Sequence, residues 1–157
     1  MQKVTPFLWF NDNAEEAINY YTSIFKDSSV GTLRYYGDAG AGKKGSVMGG
    51  SFTIGGQHIM VLNGGPHYSF TPAISLYINC ETQEEVDDLW EKLSAGGEKS
   101  RCGWLKDKYG LSWQVIPSAL GRMLQDKDLI KVGRVMQAMM KMTKIDIRDL
   151  EAAYNAE

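Results

Sequence analysis

The sequence repeats itself. A short apolar run followed by an amphipathic helix opens the chain, Pro6 to Phe10 and then Asn13 to Phe25. The pair returns 69 residues on, as Ala73 to Ile78 and Thr82 to Leu93. Asn13 falls on Thr82, Glu16 on Glu85, Ala17 on Val86, Tyr20 on Leu89, Tyr21 on Trp90 and Ile24 on Leu93. A repeat of this length means two copies of one supersecondary unit, and ligands favour the seam between such copies.

Both helix starts carry capping-box spacing, Asn13 with Glu16 and Thr82 with Glu85, in which cap side chain and carboxylate satisfy each other's backbone donors. Behind them Ala14, Ala17, Ile18, Tyr21, Ile24 and Phe25, and then Val86, Leu89, Trp90 and Leu93, recur at helical spacing. Gly96-Gly97 should end the second helix. Between the helices the pattern shifts to β-prone runs, Val30 to Tyr36, Ser46 to Ile54 and Gln57 to Asn63, with Gly55-Gly56 as a two-residue hairpin turn. After the second helix come strands from Lys99 to Trp104 or beyond and from Leu111 to Ile116, joined around Asp107 to Gly110. Each module reads strand, helix, then two or three strands, an α+β chain with residues 3–63 and 72–117 as its copies. The glycine-rich insert from Gly37 to Gly45 lengthens the first.

Pro117 ends the repeat, so residues 1–117 are expected to form the paired modules and 118–157 a helical tail packed on the same domain or on a dimer partner. Leu129, Val132, Val135, Met136, Met139 and Met140 fall largely on one face of a helix from Asp128 to Met142. Asp146 starts a last helix, with Ile145 and Leu150 spaced as a hydrophobic staple. The methionine stripe reads as adaptable core or subunit packing.

A chain of 157 residues has room for one compact domain, or two half-domains sharing a core, but not for separate cofactor and substrate domains. The net charge is -2, with basic residues scattered, which argues against nucleic acid. No apolar run approaches a membrane span and no h-region opens the chain, so a cytoplasmic protein off the membrane is expected. The two cysteines, Cys80 and Cys102, lack metal-ligand spacing and read as reduced thiols.

Several strings identify the chain as similar to a known family. They are Thr5 to Phe10, Glu15-Glu16-Ala17 with Tyr20-Tyr21 and Phe25, Asn79 to Asp87, Cys102 to Asp107, and Gly110 to Pro117. The tail strings Val135 to Met140 and Lys144 to Ile147 fit as well. Together they resemble the PhnB-like, 3-demethylubiquinone-9 3-methyltransferase-like branch of the vicinal-oxygen-chelate superfamily, which includes glyoxalases, bleomycin-resistance proteins and extradiol dioxygenases. The resemblance implies two tandem βαβββ modules, a cleft-bearing mixed sheet and a homodimer.

It also implies metal-ligand positions on the first and last strands of each module. Aligned on the helices, these are Pro6, Ser75 and Gln114, with Met60 or Val61 on the last strand of the first module. Proline has no donor, and serine and glutamine are weak ligands for first-row divalent metals. Of the histidines, His58 faces the cleft only if Met60 does, and His67 lies in a glycine-rich loop. No cofactor or catalytic metal is therefore expected, with His58 the one residue for an atypical site.

The methyl transfer implied by the family's name finds no support in the residues. A common α/β methyl-donor site needs a long β/α alternation with a glycine-rich strand-to-helix loop. Gly37 to Lys44 nearly spells a phosphate-binding loop, but Lys44 stands where serine or threonine must be and a strand follows, so a mobile hairpin tip is the expectation. Cys102 has no histidine nearby in sequence to activate it.

Strand alternation from the helix-aligned positions places Pro6, Leu8 and Phe10 on the cleft face of the first module. It places Ser75, Tyr77 and Asn79, beside Ser112, Gln114 and Ile116, on that of the second. Apolar walls with a few uncharged hydrogen-bonding groups suit a small hydrophobic or aromatic molecule. Binding is expected ahead of turnover. The alternatives are a glyoxalase- or dioxygenase-type enzyme with an atypical metal site, the methyltransferase of the family name, and a structural dimer with a filled cleft.

Overall fold

The computed structural model describes residues 2–157. The chain forms two compact units, one ending at Phe70 and the other spanning Thr71–Glu157. The first contains β1 (Phe7–Phe10), α1 (Ala14–Ile24), β2 (Ser28–Tyr35), β3 (Val47–Ile54) and β4 (Gln57–Asn63). The second contains β5 (Ser75–Cys80), α2 (Gln83–Ser94), β6 (Glu98–Lys99), β7 (Trp104–Lys106) and β8 (Ser112–Pro117). It continues through α3 (Ser118–Leu124), α4 (Leu129–Met140) and α5 (Ile147–Tyr154). Each unit has a four-stranded mixed sheet, ordered β1-β4-β3-β2 and β5-β8-β7-β6. In each, the first strand pairs parallel with the last and the remaining pairs are antiparallel. The βαβββ repeat is therefore present in both copies.

Each helix covers one face of its own sheet. In the first unit Tyr21 stacks on Phe52 with ring centroids 5.8 Å apart, and Leu8, Phe10, Ile59 and Val61 lie on that covered face. In the second, Val86, Leu89, Trp90 and Leu93 are buried with Leu105, Trp113 and Val115. Burying aromatic and branched residues so completely supplies most of the stability of such small units, at about 25 cal/mol per Å² of apolar area.

The two helix caps differ. Thr82 accepts from the Glu85 N–H at 3.2 Å, as expected, while the Glu85 carboxylate accepts from the N–H of Glu81 at 2.9 Å, one residue before the cap. Asn13 makes no side-chain cap bond. Asn63 caps α1 instead: its Oδ1 accepts from the Ala14 N–H at 2.9 Å and its Nδ2 donates to the Val47 carbonyl at 3.1 Å. A residue 49 positions away in sequence thus replaces the local cap.

Gly55 and Gly56 adopt φ of +53° and +79°, the pair a two-residue type I′ hairpin needs. In the glycine-rich insert the glycines admit a ring. A Cβ on Gly40 or Gly42 would lie 2.3 Å from Tyr36 ring atoms, and the Tyr36 hydroxyl donates to the Asn63 carbonyl at 2.6 Å.

The tail is folded into the second unit. Ile116, Leu120, Val135, Ile145 and Leu150 form a separate buried cluster, flanked by Met123, Leu124, Met139, Met142 and Tyr154. Ile145 and Leu150 are both fully buried around the Asp146 cap, as the staple requires. The Gln83 amide donates to the Ile145 carbonyl and accepts from the Ile147 N–H, and Lys144 pairs with Asp87 at 2.8 Å. These bonds fix the start of α5 to the start of α2. The methionine stripe divides: Val135 is buried and Met139 half-buried, whereas Leu129, Met136 and Met140 remain exposed. No helix among the described residues is long and apolar enough to cross a membrane.

Candidate functional site

The faces of the two sheets that lie opposite their helices differ in chemistry. In the first unit that open face carries Phe7 and Trp9, opposite Met60 and Leu62 in register. Thr53 and His58 pair farther along it. Around β1 this face is apolar, and its polar groups lie farther out on β3 and β4. Trp9 is held by its indole N–H, which donates to the Gly65 carbonyl at 2.9 Å, and by edge contact with Tyr68 at 5.0 Å.

Two of the three positions expected there, Leu8 and Phe10, are 6% and 2% exposed on the helix-covered face, and Pro6 precedes the strand. The displacement has a simple cause. Two residues, Asn11 and Asp12, separate β1 from the cap of α1, whereas only Glu81 separates β5 from the cap of α2. Because side chains alternate along a strand, alignment on the caps turns β1 over by one residue. The same register settles the last strand: Met60 faces outward and Val61, 3% exposed, faces the helix. His58 shares the Met60 side, half-buried, with Nδ1 3.4 Å from the Thr53 hydroxyl.

In the second unit the expected positions do share the open face. Ser75 pairs with Ser112, Tyr77 with Gln114 and Asn79 with Ile116. Trp104 and Lys106, on β7, lie opposite Gln114 and Ser112. Gln114 Nε2 donates to Ser75 Oγ at 3.0 Å. Tyr77 is 53% exposed and Asn79 is exposed, whereas Ile116 is taken into the tail cluster. Partial desolvation, with Cys80 adding to it, raises the Tyr77 phenol above its usual value, so it stays a neutral donor.

Ser112, expected on this face, differs from the other members in its burial. It is 1% exposed, and its hydroxyl has no hydrogen-bond partner among the described residues. Leaving a buried hydroxyl unsatisfied costs about 1–3 kcal/mol, so its retention calls for a partner. No sequence signal distinguishes it from a serine that merely fills space.

The residues do not fit a bound divalent metal. Open-face positions on the first and last strands hold Phe7, Met60, Ser75 and Gln114, and among the described residues no three of His, Cys, Asp and Glu are grouped to hold an ion. Nor does the Cys80 thiol supply a nucleophile. Burial first, then Glu85 and Glu81, push the Cys80 thiol up to about 12, so it is protonated at neutral pH. Asp107 is committed to structure: it is 2% exposed and accepts from the Tyr109 and Leu111 N–H groups and the Trp113 indole, closing the turn between β7 and β8.

Comparison with known proteins agrees with this architecture. The model of the 3-demethylubiquinone-9 3-methyltransferase family matches residues 2–116, stopping at the end of the repeat. Among solved structures, a PhnB protein from Bacillus cereus is 41% identical, over 74% of this chain and 99% of its own, with a TM-score of 0.69. Protein PA1353 from Pseudomonas aeruginosa is 22% identical over 74% of this chain and 98% of its own, with a TM-score of 0.59, and shares the fold. No curated protein is significantly similar. The chain thus belongs to the 3-demethylubiquinone-9 3-methyltransferase family.

Proposed function

We propose that this protein binds a small aromatic or otherwise flat organic molecule, and that the open face of the second sheet carries the binding groups. The observation that supports this most is Ser112, a buried hydroxyl without a partner, on the same face as the Gln114–Ser75 pair. Tyr77 and Trp104 flank that row as aromatic surface, and a site of this kind orients its ligand with a few placed polar groups. Gln114 offers both a donor and an acceptor, which suits a carbonyl or hydroxyl on an apolar body. Binding, not turnover, is the activity claimed, since the donor set suits neither a metal nor an activated nucleophile.

The same reading makes the protein a homodimer. Leu129 (78% exposed), Met136 and Met140 form an uncovered apolar stripe on α4, and a twofold pairing is the commonest way to bury one. Light scattering should then give twice the 17.5 kDa chain mass.

Binding is tested by thermal shift and calorimetry with quinones and neutral aromatic carbonyl compounds such as 2-naphthamide. Gln114→Ala should weaken a bound compound by about 1 kcal/mol, the net worth of one hydrogen bond, while leaving the melting temperature of the free protein nearly unchanged. Unaltered affinity would remove Gln114, and with it this face, from the site.

A further inference from the structure

The polar row on the second sheet includes a cation. Lys106 is the cross-strand partner of Ser112, on the same side of the sheet, and is half-buried. Among the described residues it has neither an ion pair nor a side-chain hydrogen bond, although Lys44, Lys92, Lys99 and Lys144 each pair with a carboxylate. Its neighbour across β6 is Glu98, which faces it in register without pairing. Along the row from Lys106 stand two hydroxyls, Ser112 on the neighbouring strand and Ser75 one strand farther. Ser112 Oγ has no partner, and Ser75 Oγ accepts from Gln114 but donates to no described residue.

One ammonium and two hydroxyl donors, adjoining Tyr77 and Trp104, form a subsite for negatively charged oxygen at the end of an aromatic surface. From this arrangement we infer that the molecule bound on this face is an aromatic carboxylate, its two oxygens taken by Lys106 and by Ser112 with Ser75. The inference rests on the binding function proposed above and specifies the ligand class. A monoanion is favoured over a phosphate dianion because Lys106 is the single cation of the row and Glu98 stands next to it. Charge-assisted bonds to a carboxylate are about twice as strong as neutral ones, so the subsite should dominate ligand choice.

The test uses 2-naphthoate and the neutral 2-naphthamide, titrated calorimetrically into the wild-type chain, Lys106→Met, Lys106→Arg and Ser112→Ala. The expected result is that the wild type prefers the carboxylate by about tenfold, as charged hydrogen bonds warrant. Lys106→Met should abolish that preference, weaken the carboxylate much more than the amide and make carboxylate binding insensitive to salt. Lys106→Arg should keep most of the preference, and Ser112→Ala should lose part of it. Equal affinity for both compounds, unaffected by Lys106→Met, would overturn the carboxylate assignment while sparing the binding function. Failure of both compounds to bind would overturn both. Circular dichroism of each variant separates loss of the subsite from loss of the fold.

Discussion

The two units share the βαβββ element order and one sheet order, yet differ in chemistry where the first and last strands meet on their open faces. The first offers Phe7, Trp9, Met60 and Leu62; the second offers Ser75, Tyr77, Ser112, Gln114, Trp104 and Lys106. Their flanking strands differ as well. β2 and β3 have eight residues each, whereas β6 and β7 have two and three, and the helical tail packs into the second unit. A duplicated fold keeps what its own core demands, the stripe of each helix and the residues beneath it. The other face is free to diverge, and among the described residues it is the second copy that holds a buried hydroxyl without a partner, Ser112.

The comparison breaks first at positions that cap alignment treats as equivalent, Leu8 and Tyr77. Leu8 is 6% exposed and Tyr77 is 53% exposed. Leu8→Ala should cost about 2–5 kcal/mol in denaturant unfolding, the range for truncating a core leucine, and Tyr77→Ala under about 1 kcal/mol. Equal costs would mean that the strand register described for β1 is wrong.

A smaller contrast lies at the caps. Asn63→Ala should destabilise by about 2 kcal/mol, since it uncaps α1 and releases the Val47 carbonyl together. Thr82→Ala should cost about 1 kcal/mol, and Asn13→Ala only a few tenths, because Asn13 makes no side-chain cap bond. If Asn13→Ala matched Thr82→Ala, the helices would be capped alike and the distinction would fail.

The smallest effect concerns the tail, which only the second unit has. The Lys144 ammonium, then Gln83, holds the Asp87 carboxyl below its usual value of 3.8. A depressed native value stabilises the folded state above the unfolded carboxylate range, and this contribution is lost as pH falls through the native value. Acidification below about pH 4 should therefore loosen the docking of α5 on α2, read as faster amide exchange at Ile147, and Asp87→Asn should abolish that pH dependence. An unchanged exchange profile in Asp87→Asn would remove the ion pair from the account.

Much of the fold was legible because its signals are local. Helix periodicity, the Thr82–Glu85 cap, the Gly55-Gly56 turn and the Ile145–Leu150 staple each lie within a few residues, and each forms as read. The helix α3, directly after Pro117, was missed because its seven residues are too few to display a period. The site was legible in one copy only. Ser75, Tyr77 and Gln114 sit together on the open face, but one extra residue before α1 reversed the reading of Leu8 and Phe10. Alternation carries no memory across a loop of uncertain length. The Asn63 cap and the unpartnered Ser112 depend on contacts between distant segments, for which a single sequence holds no pattern.

The central claim, that binding belongs to the second open face and not the first, is tested most directly by mapping amide and indole NMR shifts during titration with 2-naphthamide, whose neutrality removes charge pairing with Lys106. The account predicts saturable shifts at Ser75, Tyr77, Ser112, Gln114 and the Trp104 indole, with Phe7 and the Trp9 indole unmoved. Shifts confined to Phe7, Trp9 and Met60, or none at saturating compound, would contradict it.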